Sequence, residues 1–213
     1  MPGRYTSARF IGRDDAFARL AAVLEDAASG RARTMLVSGP AGVGITRFLD
    51  ESMARVAALE EPMTVLRARA MPAGTDEPYG PVVRALGPLL ETLPRADLDA
   101  VLGPAAPELV RLVPSLIARL DPDDPAALTR GGAPERRSAR AMEGLLGVLG
   151  RLGDRRTVVL VLEDLHRADA ATRELVTFLG RIASGQRFAL IASDQPDILP
   201  RDAWRASFVK MRF

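Results

Sequence analysis

The stretch "TMLVSGPAGVGITRFLDE", residues 34–51, carries an apolar run into a glycine-rich turn and then into an amphipathic segment. The turn and the start of that segment read Gly39, Pro40, Ala41, Gly42, Val43, Gly44, Ile45, Thr46 and Arg47. The spacing satisfies the phosphate-loop pattern G-x-x-x-x-G-K-[ST] at every specified position except one, because Ile45 stands where the lysine belongs. Part of the chemistry survives that change. Gly39, Gly42 and Gly44 give access to backbone conformations closed to other residues, so several N–H groups can converge on one concavity. The positive end of the following helix adds to that field. Thr46 offers a hydroxyl able to hold a magnesium ion. What Ile45 cannot supply is the point charge on the terminal phosphates.

A second stretch, "VVLVLEDLHRAD" (158–169), ends an apolar strand in two adjacent acids, Glu163 and Asp164. Paired carboxylates at the end of a buried strand suit magnesium chemistry beside a phosphate loop. One orients the metal's water shell, and the other positions or deprotonates an attacking water.

Positioning these groups requires a sheet. The apolar runs 34–38, 63–69, 157–162 and 187–193 predict buried strands, and the alternating tail 207–213 predicts a last one. Helical periodicity predicts helices over 14–29, where Asp14 or Asp15 can cap the start and Gly30 the end, then 45–59, 135–152 and 169–184. Residues 82–120 read as helix cut into short pieces by Pro88, Pro94, Pro104, Pro107 and Pro114. The polar, proline- and glycine-rich segment 121–137 predicts a flexible linker. Strands alternating with helices imply a parallel sheet between helical layers, with ligands at the carboxyl ends of the strands. The glycine turn lies at such an end.

Composition narrows the classes. The 213 residues are 47% hydrophobic and carry a formal net charge of +2, as suits one globular domain of ordinary size. Lys210 is the only lysine, and the arginines are scattered rather than clustered into a nucleic-acid footprint. With no cysteine and one histidine, His166, disulfides, thiolate metal sites and multi-histidine metal sites are excluded. No apolar run approaches the ~20 residues of a membrane span, and the N-terminus lacks a signal-peptide core. A soluble, cytoplasmic protein is expected.

Four stretches together resemble the P-loop domain of bacterial STAND and AAA+-like regulatory ATPases, especially those heading large LuxR-type transcription regulators. "FIGRDDAFARL" (10–20) resembles their opening GR box, and "LVSGPAGVGITRFLDE" their Walker A. "LVLEDLHRADAATRELVTFL" resembles their Walker B segment, and "FALIASDQPD" their sensor-1 strand. "EPYGPVVRALGPLL" (77–90) is similar to their middle helix. The resemblance spans nearly the whole chain. It implies a single P-loop domain over 1–213, with the GR box and first helix in 1–30. The expected architecture is α/β, a three-layer αβα sandwich around a five-stranded parallel sheet ordered 2-3-4-1-5. It implies that Gly12 and Arg13 lie near base and ribose, and that residues 39–47 wrap the phosphates of ATP or ADP with Mg2+. Thr46 and Glu163 then take the metal, and Asp164 beside Glu163 takes the catalytic slot. His166 falls at the family's histidine.

Three departures stand out: Ile45 for lysine, Arg167 for the usual tryptophan, and Asp194–Gln195 where an arginine usually follows sensor 1. Two of them remove positive charge expected near the phosphates. The family's lid and DNA-binding modules are not expected within this sequence, so direct nucleic-acid binding is not expected of it. Two functions remain open. One is a nucleotide-binding regulatory domain with weak or no hydrolysis. The other is a pseudo-ATPase scaffold that binds a protein partner without nucleotide.

Overall fold

The computed structural model describes residues 12–71, 78–120, 137–182, 185–195, 205–206 and 208–213. Five parallel strands, β1 (Arg33–Ser38), β2 (Thr64–Arg69), β3 (Val158–Glu163), β4 (Phe188–Asp194) and β5 (Val209–Arg212), form one sheet in the order β2-β3-β4-β1-β5. This is the expected order of a P-loop fold. It places the Walker A strand β1 and the Walker B strand β3 on either side of β4. The bounds differ by a residue or two from the periodicity; β4 gains Asp194.

Strand alternation produces the layers. Leu160 and Leu162 of β3 and Leu190 of β4 point to one face, while Val159, Val161 and Ile191 point to the other. The first face packs under α3 (Gly80–Thr92), α4 (Arg95–Leu102), α5 (Ala106–Leu112), the short α6 (Ile117–Leu120), α7 (Arg137–Arg155) and α8 (Ala170–Ile182). The second packs under α1 (Asp14–Ala28) and α2 (Ile45–Ala57), through Phe17, Leu20, Phe48 and Leu49. Every residue of β3 is buried, which is why that run reads as continuously apolar. Each such aliphatic side chain contributes roughly 1.5–3 kcal/mol by leaving water.

Two local expectations are corrected. Pro88 does not cut the chain: α3 runs through it from Gly80 to Thr92. Pro88 and Arg84 both lie on the exposed face of α3. The Arg84 carbonyl that Pro88 cannot bond is therefore open to hydration, while Val82, Leu86 and Leu90 hold the opposite face to the sheet. The remaining prolines fall where expected, before α4, in the first turn of α5 and in two short 3-10 turns. Neither Asp14 nor Asp15 caps α1. Arg13 occupies the cap position in a left-handed conformation, and the two acids sit in the first turn, where they complement the helix dipole. The linker at 121–137 lies almost wholly outside the described residues.

Candidate nucleotide site

β1 ends at Ser38, and the chain turns through residues 39–44 into the N-terminus of α2. Gly42 and Gly44 take left-handed conformations with φ of 82° and 95°, which a side chain would strain. Gly39 is held by space instead. A Cβ there would lie 2.9 Å from Val43 Cγ1 and 3.1 Å from Phe213 Cβ. The turn is closed by Val43 N–H donating to Pro40 O (3.3 Å) and Phe48 N–H to Gly44 O (2.9 Å). Arg13 braces it from behind. Its Nη2 donates to Val43 O at 2.5 Å, and its guanidinium lies 3.7 Å above the Phe213 ring.

In front of the loop opens a cleft of about 900 Å³, lined by residues 39–47 together with Asp50, Arg69, Asp164, Ser193, Asp194 and Gln195. The volume lies in the range of small-molecule sites. In a smaller groove of about 490 Å³ near α5 and α7, Glu108 pairs with Arg111, and Arg151 donates to the carbonyls of Val101 and Leu102.

The two acids behave differently. Glu163 is buried, and both its oxygens are taken. Oε1 accepts from Arg67 Nε (2.9 Å) and Nη2 (2.7 Å), and Oε2 from Arg69 Nη2 (2.9 Å). Burial opposes its ionisation, but the hydrogen bonds and positive charges of Arg69 and Arg67 together outweigh burial and hold its pKa below the ordinary value. Arg67 also reaches Asp50 Oδ1 at 2.7 Å, and Arg69 Nη2 donates to Thr46 Oγ1 at 3.1 Å. Asp164 is partly exposed on the cleft wall, 3.6 Å from Arg69 Nε. It holds a left-handed conformation (φ 55°), with its N–H on Ser193 Oγ at 3.0 Å.

The third wall is built from β4. Asp194 is buried at the strand end, where it accepts from Ser38 Oγ and pairs with Arg205 Nε at 2.7 Å. Gln195 N–H donates to His166 Nδ1 at 3.3 Å. Burial lowers the His166 pKa, so the ring favours its neutral form.

A family model for the AAA ATPase domain matches residues 9–191. The chain belongs to the AAA ATPase domain family. No curated protein sequence matches it. Among solved structures, the AAA domain is similar to a chain in Drosophila ORC bound to AT-rich DNA and Cdc6, at 15% identity and a TM-score of 0.42, covering 96% of this chain and 61% of that one. It is also similar to a chain in Drosophila ORC bound to poly(dA/dT) DNA and Cdc6, at 15% identity and a TM-score of 0.47, covering 93% of this chain and 28% of that one. The AAA domain thus spans less than two thirds of either relative.

Within the AAA domain, the structure brings residues 39–47 and Asp164 to one cleft, with Glu163 directly behind. Gly12 and Arg13 lie outside that lining; Arg13 borders a separate hollow of about 320 Å³ with Asp15, Arg19 and Phe213. Four partners escaped sequence reasoning: Asp50, Arg67, Arg69 and Arg205. The signal for two of them is present in "VLRAR", where Arg67 and Arg69 share one face of β2 at a spacing of two. Their meaning emerges only with the register, which sets Arg69 directly opposite Glu163.

The site fits phosphates better than it fits Mg2+. Magnesium demands near-octahedral oxygen ligands at about 2.0–2.1 Å. Here the Glu163 carboxylate is consumed by two guanidiniums, and the Thr46 hydroxyl accepts from one of them. No cluster of three acidic, histidine or cysteine ligands occurs among the described residues.

Proposed function

We propose that this AAA domain is a nucleotide-binding regulatory module of the STAND or LuxR-type regulator kind, which takes ATP or ADP in the cleft and hydrolyses it slowly or not at all. One observation carries the reading: the glycine loop keeps its cradle, with Gly42 and Gly44 left-handed at the N-terminus of α2, while Ile45 removes the cation that would act on the terminal phosphate. Backbone N–H groups and a helix N-terminus suffice to attract phosphate. They do not replace a preorganised donor at a developing charge, whose loss typically costs about 100- to 1,000-fold in rate. Asp164, at the cleft wall, is the acid left to position an attacking water. The regulator context rests on the order of the GR box, Walker A, Walker B and sensor-1 stretches. In that context the output passes to a protein partner or to further modules rather than from this domain to DNA, and the setting is cytoplasmic. No described helix is long and apolar enough to cross a membrane.

Titration of the purified chain with fluorescent ATP and ADP, paired with a phosphate-release assay, tests the reading. Saturable binding with little or no release is expected. A second reading, a scaffold without nucleotide, draws support from the occupied Glu163 carboxylate. It becomes the better one if neither nucleotide binds.

A further inference from the structure

The position of Arg69 has a chemical meaning beyond a salt bridge. In the resemblance read from the sequence, Thr46 and Glu163 take a divalent cation, with the catalytic Asp164 beside them. In this structure they gather round a guanidinium. Arg69 Nη2 lies 3.1 Å from Thr46 Oγ1 and 2.9 Å from Glu163 Oε2, and Nε lies 3.6 Å from Asp164 Oδ2. The side chain is half exposed and borders the phosphate cleft, so its charge faces the space in front of the loop.

We propose that Arg69 is the cation at the Thr46–Glu163 position of this cleft, and that nucleotide phosphates bind there against its guanidinium without a divalent metal ion. The inference rests on the nucleotide-binding reading above and adds to it the nature of the countercharge. Three further features support it. A planar guanidinium presents paired donors that match phosphate oxygens, so it can grip as well as neutralise. Leaning toward a phosphate would cost Arg69 its bond to Glu163 Oε2, but Glu163 would keep both bonds from Arg67 to Oε1. The backbone beneath Arg69 is tied on both sides: its strand pairs with β3 in register, and its carbonyl accepts from Arg84 Nη2 at 3.2 Å. The cation is thus delivered from a fixed point.

The test is the affinity of the wild-type chain for fluorescent ATP and ADP, measured in EDTA and again in excess Mg2+, beside the variant Arg69→Gln checked for folding by circular dichroism. Wild-type affinities are expected to agree within about threefold between the two buffers. Arg69→Gln is expected to weaken binding in EDTA by about tenfold or more, the scale of one lost charge-assisted contact. Tightening of the wild type by Mg2+ beyond about threefold overturns the proposal, and so does a folded Arg69→Gln variant that binds in EDTA as tightly as wild type. If the variant does not fold, the wild-type comparison alone decides. Absence of binding in both buffers sinks the nucleotide reading itself and this inference with it. Binding that needs Mg2+ leaves that reading standing and removes only the metal-free one.

Discussion

Ile45 is a packed residue as well as a missing lysine. It is partly buried against the core beneath α1 and α2, so the side chain contributes contact with the protein rather than a charge in the cleft. Ile45→Lys is expected to tighten ATP binding by at least about tenfold, since a charge-assisted hydrogen bond contributes about 1.5–3 kcal/mol and 1.4 kcal/mol is tenfold. ADP should gain less, because the added ammonium serves mainly the terminal phosphate. Equal gains for both, read by titration, would show that the lysine does not reach that group. At this scale the sequence was most legible where chemistry is written along the chain. The glycine loop and the Glu163–Asp164 pair lie in contiguous stretches and are recognised by spacing. Arg69 is not, because its partner Glu163 lies 94 residues away and only a strand register joins them.

Helices and strands were legible wherever burial imposes a period, and least so where one residue type pulls against its neighbours. Pro88 is the case in point: the sequence shows its penalty, whereas the apolar face that keeps α3 whole shows only in the fold. Interior proline costs about 3 kcal/mol relative to alanine in a helix, and alanine restores about 1 kcal/mol of unfolded-chain freedom. Pro88→Ala is therefore expected to stabilise the protein by about 1–2 kcal/mol, seen as a higher urea midpoint. The opposite sign is expected at Asp169. Its Oδ1 caps α8 by accepting from Thr172 N–H (2.7 Å) and also accepts Tyr79 N–H (3.1 Å) at the start of α3, while Oδ2 takes the Thr172 hydroxyl (2.6 Å). One carboxylate thus ties two helices together. Asp169→Ala should cost about 1–2 kcal/mol as a lost cap. It should lower the urea midpoint with an unchanged slope, as expected when stability alone is altered.

For the molecule as a whole, acid should be destabilising in two steps. Burial holds His166 below 6.5, and the arginine bonds hold Glu163 below 4.5. In each case the unfolded chain takes up its proton first as pH falls. Stability is therefore full above the unfolded pKa and is lost as pH drops through the folded one. The thermal midpoint should fall as pH drops below 6.5 and fall again below 4.5. His166→Gln should flatten the first limb only. A first limb that survives in that variant would locate the titration elsewhere, since the sequence holds one histidine. The strand order was legible because motif order carries it, while the packing of α3 to α7 over the sheet depends on contacts no local pattern records. The Arg67–Glu163–Arg69 bracket also makes the order of substitutions matter. A lineage that first lost Glu163 would leave two arginines facing each other, whereas one that first replaced Arg69 would keep a compensated acid and uncover a hydroxyl and a carboxylate. Opening Thr46 and Glu163 to a divalent ion therefore requires replacing Arg69, whereas Ile45→Lys alone would add a second cation to the cleft and leave that guanidinium where it is.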